Sequence, residues 1–219
     1  MRKGGYPPPP RGESRLPPLL TVVLAIALQL LLPSRLTVGP KWILPALEGL
    51  MLISLVIVSP QRHVQAEHLP SRRIALAIAA LVSIANATSL ALLAHHLLHQ
   101  NVTNGRQLVI SGTLIWLTNV LVFALWYWET DRGGPGTRAA GHDGRPDFLF
   151  PQMSDDRWHP GWRPMFMDYL YVSLTNAAAF SPTDTMPLSI TVKAIMGLQS
   201  LISLVTIGLV VSRAVNILA

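Results

Sequence analysis

Five apolar runs constrain this chain more than anything else in it: about Leu19 to Leu32, Trp42 to Val58, Ile74 to Leu98, Leu108 to Trp128 and Leu188 to Leu218. A helix rises about 1.5 Å per residue, so roughly 20 residues cross a hydrocarbon core about 30 Å thick. Inside lipid every backbone N–H and C=O must be satisfied within the protein, which makes helices the only option for runs of this kind. Pro17, Pro18, Pro33, Pro40, Pro60, Pro70 and Pro187 stand at or near the run boundaries, where a missing N–H costs least. The expected fold class is therefore all-α, a polytopic membrane helix bundle of five long transmembrane helices plus a short sixth polar segment. That sixth segment, Met165 to Phe180, carries Asp168, Ser173, Thr175 and Asn176 over 16 residues. It reaches only about 24 Å as a helix, so it either crosses a thinned or shielded region or dips in and returns.

Composition agrees with lipid as the main solvent. Half of the residues are hydrophobic (50%), only 13% are charged, and the mean hydropathy is +0.41, which excludes a disordered chain and argues against a soluble globular domain. Cysteine is absent, which removes disulfides, zinc-thiolate sites, iron–sulfur clusters and cysteine nucleophiles together. Arg2, Lys3, the stretch Pro7 to Pro10 and the first apolar run imitate a signal peptide. The run ends in Pro33-Ser34-Arg35 instead of small residues, so a retained signal-anchor helix is expected.

The net charge is +6, and the 17 basic residues, 14 of them Arg, are spread through connections between apolar runs. No basic stripe forms, so nucleic acid is not an expected partner. Basic residues in such positions orient a membrane protein. With six crossings and the N-terminus in the cytoplasm, 13 of them fall inside and only Arg35, Lys41, Arg106 and Lys193 outside. This predicts a multi-pass protein of the cell inner membrane with both termini cytoplasmic and a full crossing by the sixth segment. Four regions follow: a cytoplasmic Pro-rich N-terminus (1–18), a four-helix transmembrane region (19–128), a cytoplasmic Gly/Pro/Arg-rich loop (129–164) and a C-terminal polar helical hairpin (165–219). Within the loop, Arg132 to Arg145 has the composition of a flexible linker, whereas Phe148 to Trp162 is expected at the headgroups, with Trp158 and Trp162 as anchors.

Polar side chains in membrane-embedded sequence are costly and tend to mark function. Those of the hairpin, Asp168, Thr175, Asn176, Ser181, Thr183 and Asp184, form the expected ion pathway or polar core together with Glu48 of the second run. Glu48 sits six residues past Trp42, deep enough that it needs a partner, a proton or water. The hairpin turn has a plainer reading as well: Ser181 caps, Pro182 takes the first helical position and Asp184 follows three after the cap. His95 and His99 share a helix face at i, i+4, the spacing of half a metal site but with no carboxylate nearby in sequence, and Asp155, Asp156 and His159 cluster without signature spacing. Asn86 and Asn119 suit interhelical hydrogen bonds; Gly197, Ser200, Ser203, Gly208 and Ser212 suit close helix packing. Phosphate loops, dinucleotide fingerprints and nucleophile elbows are missing, so no enzymatic activity, no cofactor and no metal is expected.

The hairpin, from Asp168-Tyr-Leu-Tyr-Val-Ser through Ser181-Pro-Thr-Asp184 to Ala214-Val-Asn216, resembles that of a family of small uncharacterised bacterial integral membrane proteins. This resemblance implies a fold relative and no activity. More distantly, it is similar to the two-helix pore module of potassium channels: Asp184 and Pro187 match the end of the filter loop, and Thr175 to Ala179 would end the pore helix. Ser181-Pro182-Thr183 stands where that family has Gly-Tyr-Gly, so the filter glycines are missing and potassium selectivity is not implied. The expected function is a small-ion channel or transporter component, homo-oligomeric in the lipid bilayer and handling a small cation or a proton. The alternative is a non-transporting structural or partner-binding membrane protein.

Overall fold

The computed structural model describes residues 13–58, 63–64, 69–99, 105–140, 144–154, 161–181 and 184–218. They are mostly helical: α1 (Leu16–Leu31), α2 (Ile43–Val58), α3 (Leu69–His99), α4 (Gly105–Thr130), the short α5 (Pro135–Ala139), α6 (Phe166–Ala179) and α7 (Ile190–Leu218). Three are long and apolar enough to cross a membrane, over Ser71–Leu97, Gly105–Gly133 and Ile190–Ser212, while α1 and α2 are apolar but have 16 residues each. α4 is the central post and packs against α1, α3, α6 and α7. The core runs along it through Ile115, Val122 and Tyr127, which are essentially inaccessible. At Gly112 an added Cβ would overlap Val210 Cγ2, so this glycine is what lets α7 lie close to α4.

Two strand pieces fix how the C-terminal half threads. β1 (Phe148–Leu149) pairs antiparallel with β2 (Met186–Pro187), immediately before α7. Asp147 is the knot: its N–H donates to Asp131 Oδ1 (2.9 Å), its Oδ2 accepts from the Arg132 N–H (2.8 Å), and its C=O accepts from the Leu188 N–H (2.8 Å). Tyr169, in the first turn of α6, donates to Asp131 Oδ2 at 2.6 Å. The end of α4, the start of α6 and the start of α7 therefore meet at one end of the bundle. α6 has 14 residues and begins at that end, and the chain that follows it is back there at β2. From there α7 runs antiparallel to α4 until Val210 reaches Gly112, near the start of α4. α1 starts beside the end of α4, where Glu13 meets Arg138, so the start of α1 and the end of α7 lie at opposite ends of the bundle.

Two expectations change. The chain from Arg132 to Ala140 is an ordered cap on the bundle and not a flexible linker, with Pro135, Gly136 and Arg138 buried. Arg132, Gly133 and Gly134 all take positive φ (52°, 80° and 100°), which reverses the chain sharply after α4. α7, for its part, is capped by Ser189, whose Oγ accepts from the Val192 N–H at 3.2 Å, and not by Ser181. β2 holds residues 186 and 187 extended, so no helix can begin before that pairing ends.

Candidate functional site

Of the described hairpin residues expected to form the ion pathway or polar core, Asn176 alone lies in the core. Its Nδ2 donates to Gln199 Oε1 (2.8 Å), to the Met196 C=O (3.1 Å) and to Tyr127 Oη (3.3 Å), and its Oδ1 accepts from Ser200 Oγ (3.2 Å). Gln199 of α7 ties the set together: its Nε2 donates to the C=O and Oγ of Ser173 (2.9 and 2.7 Å), while its Oε1 also accepts from the Tyr127 hydroxyl. Ser173 in turn donates to the Val120 C=O at 2.7 Å, and Asn119 donates to Ser203 Oγ at 2.9 Å. Tyr127, Ser173, Asn176 and Gln199 are all fully buried. This is the seam between α4, α6 and α7.

The other hairpin residues do not join it. Asp168 is half-buried and accepts from the Met165 N–H at 2.7 Å, capping α6. Thr175 donates back to its own helix, at the C=O of Tyr171 and Val172. Ser181 and Asp184 are exposed on the connection to α7, and Thr183 lies outside the described residues. Asp155, Asp156, Trp158, His159 and the Asn101–Thr103 sequon lie outside them too. His95 and His99 stack at 4.5 Å, but no three metal-ligating side chains come together among the described residues. Gly197 and Gly208 face open space, so the close approach that α7 makes uses the glycine of α4 instead.

Glu48 stands apart from the hairpin. It is fully buried between α2 and α1, and its Oε1 accepts from Gln29 Nε2 at 3.2 Å. Its Oε2 is buried without a hydrogen-bond partner.

A second polar centre caps the end of the bundle where α4 terminates. Arg138 grips Glu13 with two hydrogen bonds (Nε to Oε1 2.7 Å, Nη2 to Oε2 3.0 Å) and donates through Nη1 to the C=O of Asp131 (2.7 Å) and of Trp128 (3.0 Å). It also lies 5.4 Å from the centre of the Tyr169 ring. Burial works against the Arg138 charge, but the Tyr169 oxygen, Glu13 and Asp131 outweigh it and hold its pKa above the ordinary value. The donor set of this guanidinium is thereby spent on the fold.

Beside it opens a partly open cleft between α1, α2, α3 and α4. Its walls are apolar, including Val22, Leu55, Ile78 and Leu125, and one end is polar, with Arg15, Ser71, Arg72 and Glu129. Burial lowers the pKa of Arg15 and the Glu129 charge opposes that shift, so the two ions feel each other. Glu129 is 4% exposed, and its Oε2 has no hydrogen-bond partner. Arg72 Nε and Glu129 Oε2 lie 3.3 and 3.5 Å from the point where a Cβ on Gly134 would stand, so both border that turn. Sequence reading missed this place because Glu129 sits at the nominal helix end and its partners come from three other segments. A carboxylate flush with the end of an apolar run was the available signal.

No family model, no curated protein and no solved structure matches this chain. Its site must therefore be read from its own chemistry.

Proposed function

We propose that this chain is a multi-pass membrane protein with five crossings, α1 to α4 and α7, that α6 re-enters from the cytoplasmic side, and that the protein works by binding instead of conducting. The observation that carries the second half is the seam around Gln199, where Tyr127, Ser173, Asn176 and Gln199 are fully buried and hydrogen-bonded to one another. An ion pathway needs groups that exchange partners with a passing ion, whereas these side chains are dry and committed to one another. The expectation of an ion pathway through the hairpin gains no support from Asp168, Thr175, Ser181 or Asp184, which lie outside that core. Nor does the likeness to the potassium-channel pore module supply a filter.

The charge rule supports this threading as well as the six-crossing one. When α6 re-enters, Lys193 joins the arginine-rich side and Arg213 leaves it, so the split stays at 13 to 4 and the N-terminus stays cytoplasmic while the C-terminus moves outside. Single cysteines in this cysteine-free chain test it. Substitutions at Arg145 and Leu188 are expected to react with an impermeant maleimide only from the cytoplasmic side, and a substitution at His99 or a cysteine appended after Ala219 only from outside. Labelling of positions 145 and 188 from opposite sides would restore the full crossing.

A second reading, a proton- or cation-coupled transporter component, is favoured by the buried unpartnered oxygen of Glu48. A homo-oligomer belongs to this reading, since five crossings leave little room for a private pathway in one copy. It expects ion flux in reconstituted vesicles that Glu48→Gln abolishes without changing the melting temperature. Absence of flux from the unmodified protein removes it.

A further inference from the structure

We propose that the cleft between α1, α2, α3 and α4 is a binding site for a phospholipid with a primary-ammonium headgroup, of the phosphoethanolamine type. The inference rests on the membrane reading above. Its geometry is that of an amphiphile seat: an apolar trough along Val22, Leu55 and Ile78 leads to a polar end at the terminus of the helices, the level where headgroups lie. Two guanidinium groups, Arg15 and Arg72, with the Ser71 hydroxyl, suit a phosphate diester. They alone would fit any anionic lipid.

Glu129 makes the difference. A carboxylate at the floor of the cleft repels an anionic head, and a glycerol or free carboxylate head offers it no charge to pair with. A primary ammonium, one short linker away from its phosphate, offers three N–H donors. Its phosphate sits on the arginines while its nitrogen donates to Glu129 Oε2, the oxygen that lacks a hydrogen-bond partner. A quaternary choline head fits the charge but has no N–H to give, so it binds more weakly.

The full chain, delipidated in detergent, is titrated with short-chain phosphatidylethanolamine, phosphatidylcholine and phosphatidylglycerol, and bound lipid is counted by native mass spectrometry. Phosphatidylethanolamine is expected to bind about tenfold more tightly than either competitor, the effect of one charge-assisted hydrogen bond. Glu129→Gln is expected to abolish that preference while phosphatidylglycerol binds as well or better; Arg72→Gln is expected to weaken all three. Ala75→Trp, which fills the trough without touching the charges, is expected to block all binding and serves if a charge variant fails to fold. Equal binding of the three lipids, or a preference that survives Glu129→Gln, overturns the proposal. Failure of the membrane reading itself would look different: the chain would leave the bilayer in an alkaline carbonate wash.

Discussion

At Gln199 one side chain joins three helices, accepting from Tyr127 of α4 and Asn176 of α6 and donating to Ser173. Gln199→Leu leaves those partners buried without replacements, and such deletions cost more than the bonds themselves contribute. A loss of about 2 to 3 kcal/mol is expected in a detergent or lipid unfolding titration. Tyr127→Phe removes one donor while Asn176 still serves the Gln199 oxygen, so about 1 kcal/mol or less is expected in the same titration. Asn176 was legible in the sequence, because an amide within an apolar stretch demands a partner. Gln199 carries the same cost, yet no spacing or neighbouring polar residue distinguished it, and only its position across from Asn176 gives it a role.

Between elements, two contacts carry much of the arrangement. Gly112→Ala pushes a methyl into Val210, separating α4 from α7, and a cost of about 1 to 3 kcal/mol is expected. Val210→Ala makes room again, so the double variant is expected to regain most of that loss in thermal unfolding. Should the second substitution add its own cost instead, the two positions do not touch. Arg138 pins α5 and the start of α1 onto the end of α4 through Glu13. Arg138→Gln takes the cation from a largely buried carboxylate, to which Trp128 Nε1 still donates, and strands two backbone carbonyls, for which about 3 kcal/mol is expected by melting. Glu13→Gln keeps an oxygen for the guanidinium and is expected to cost clearly less. The Gly and Pro content of this segment looked like a linker, but here glycine serves a positive-φ reversal and proline starts a buried helix turn.

For the molecule as a whole, the sequence by itself determined that the chain is helical and apolar, and placed the helix boundaries within a few residues, because both depend on local composition and on prolines at run ends. It also singled out Glu48, but burial did not follow from the run itself: α2 leaves Leu47, Leu50 and Ile53 exposed and buries only Pro45 and Glu48. Which way the last third threads was a different matter. Reassigning Lys193 and Arg213 leaves the basic count unchanged, so no charge rule distinguishes a crossing α6 from a re-entrant one. The tertiary structure decided the juxtaposition on which the re-entrant proposal rests: Asp147 joins the end of α4 to the start of α7, and Tyr169 brings the start of α6 to the same place. It likewise decided the cleft. Arg15, Ser71, Arg72 and Glu129 come from three helices, and a site assembled across such distances in sequence has no local pattern for composition or spacing to reveal.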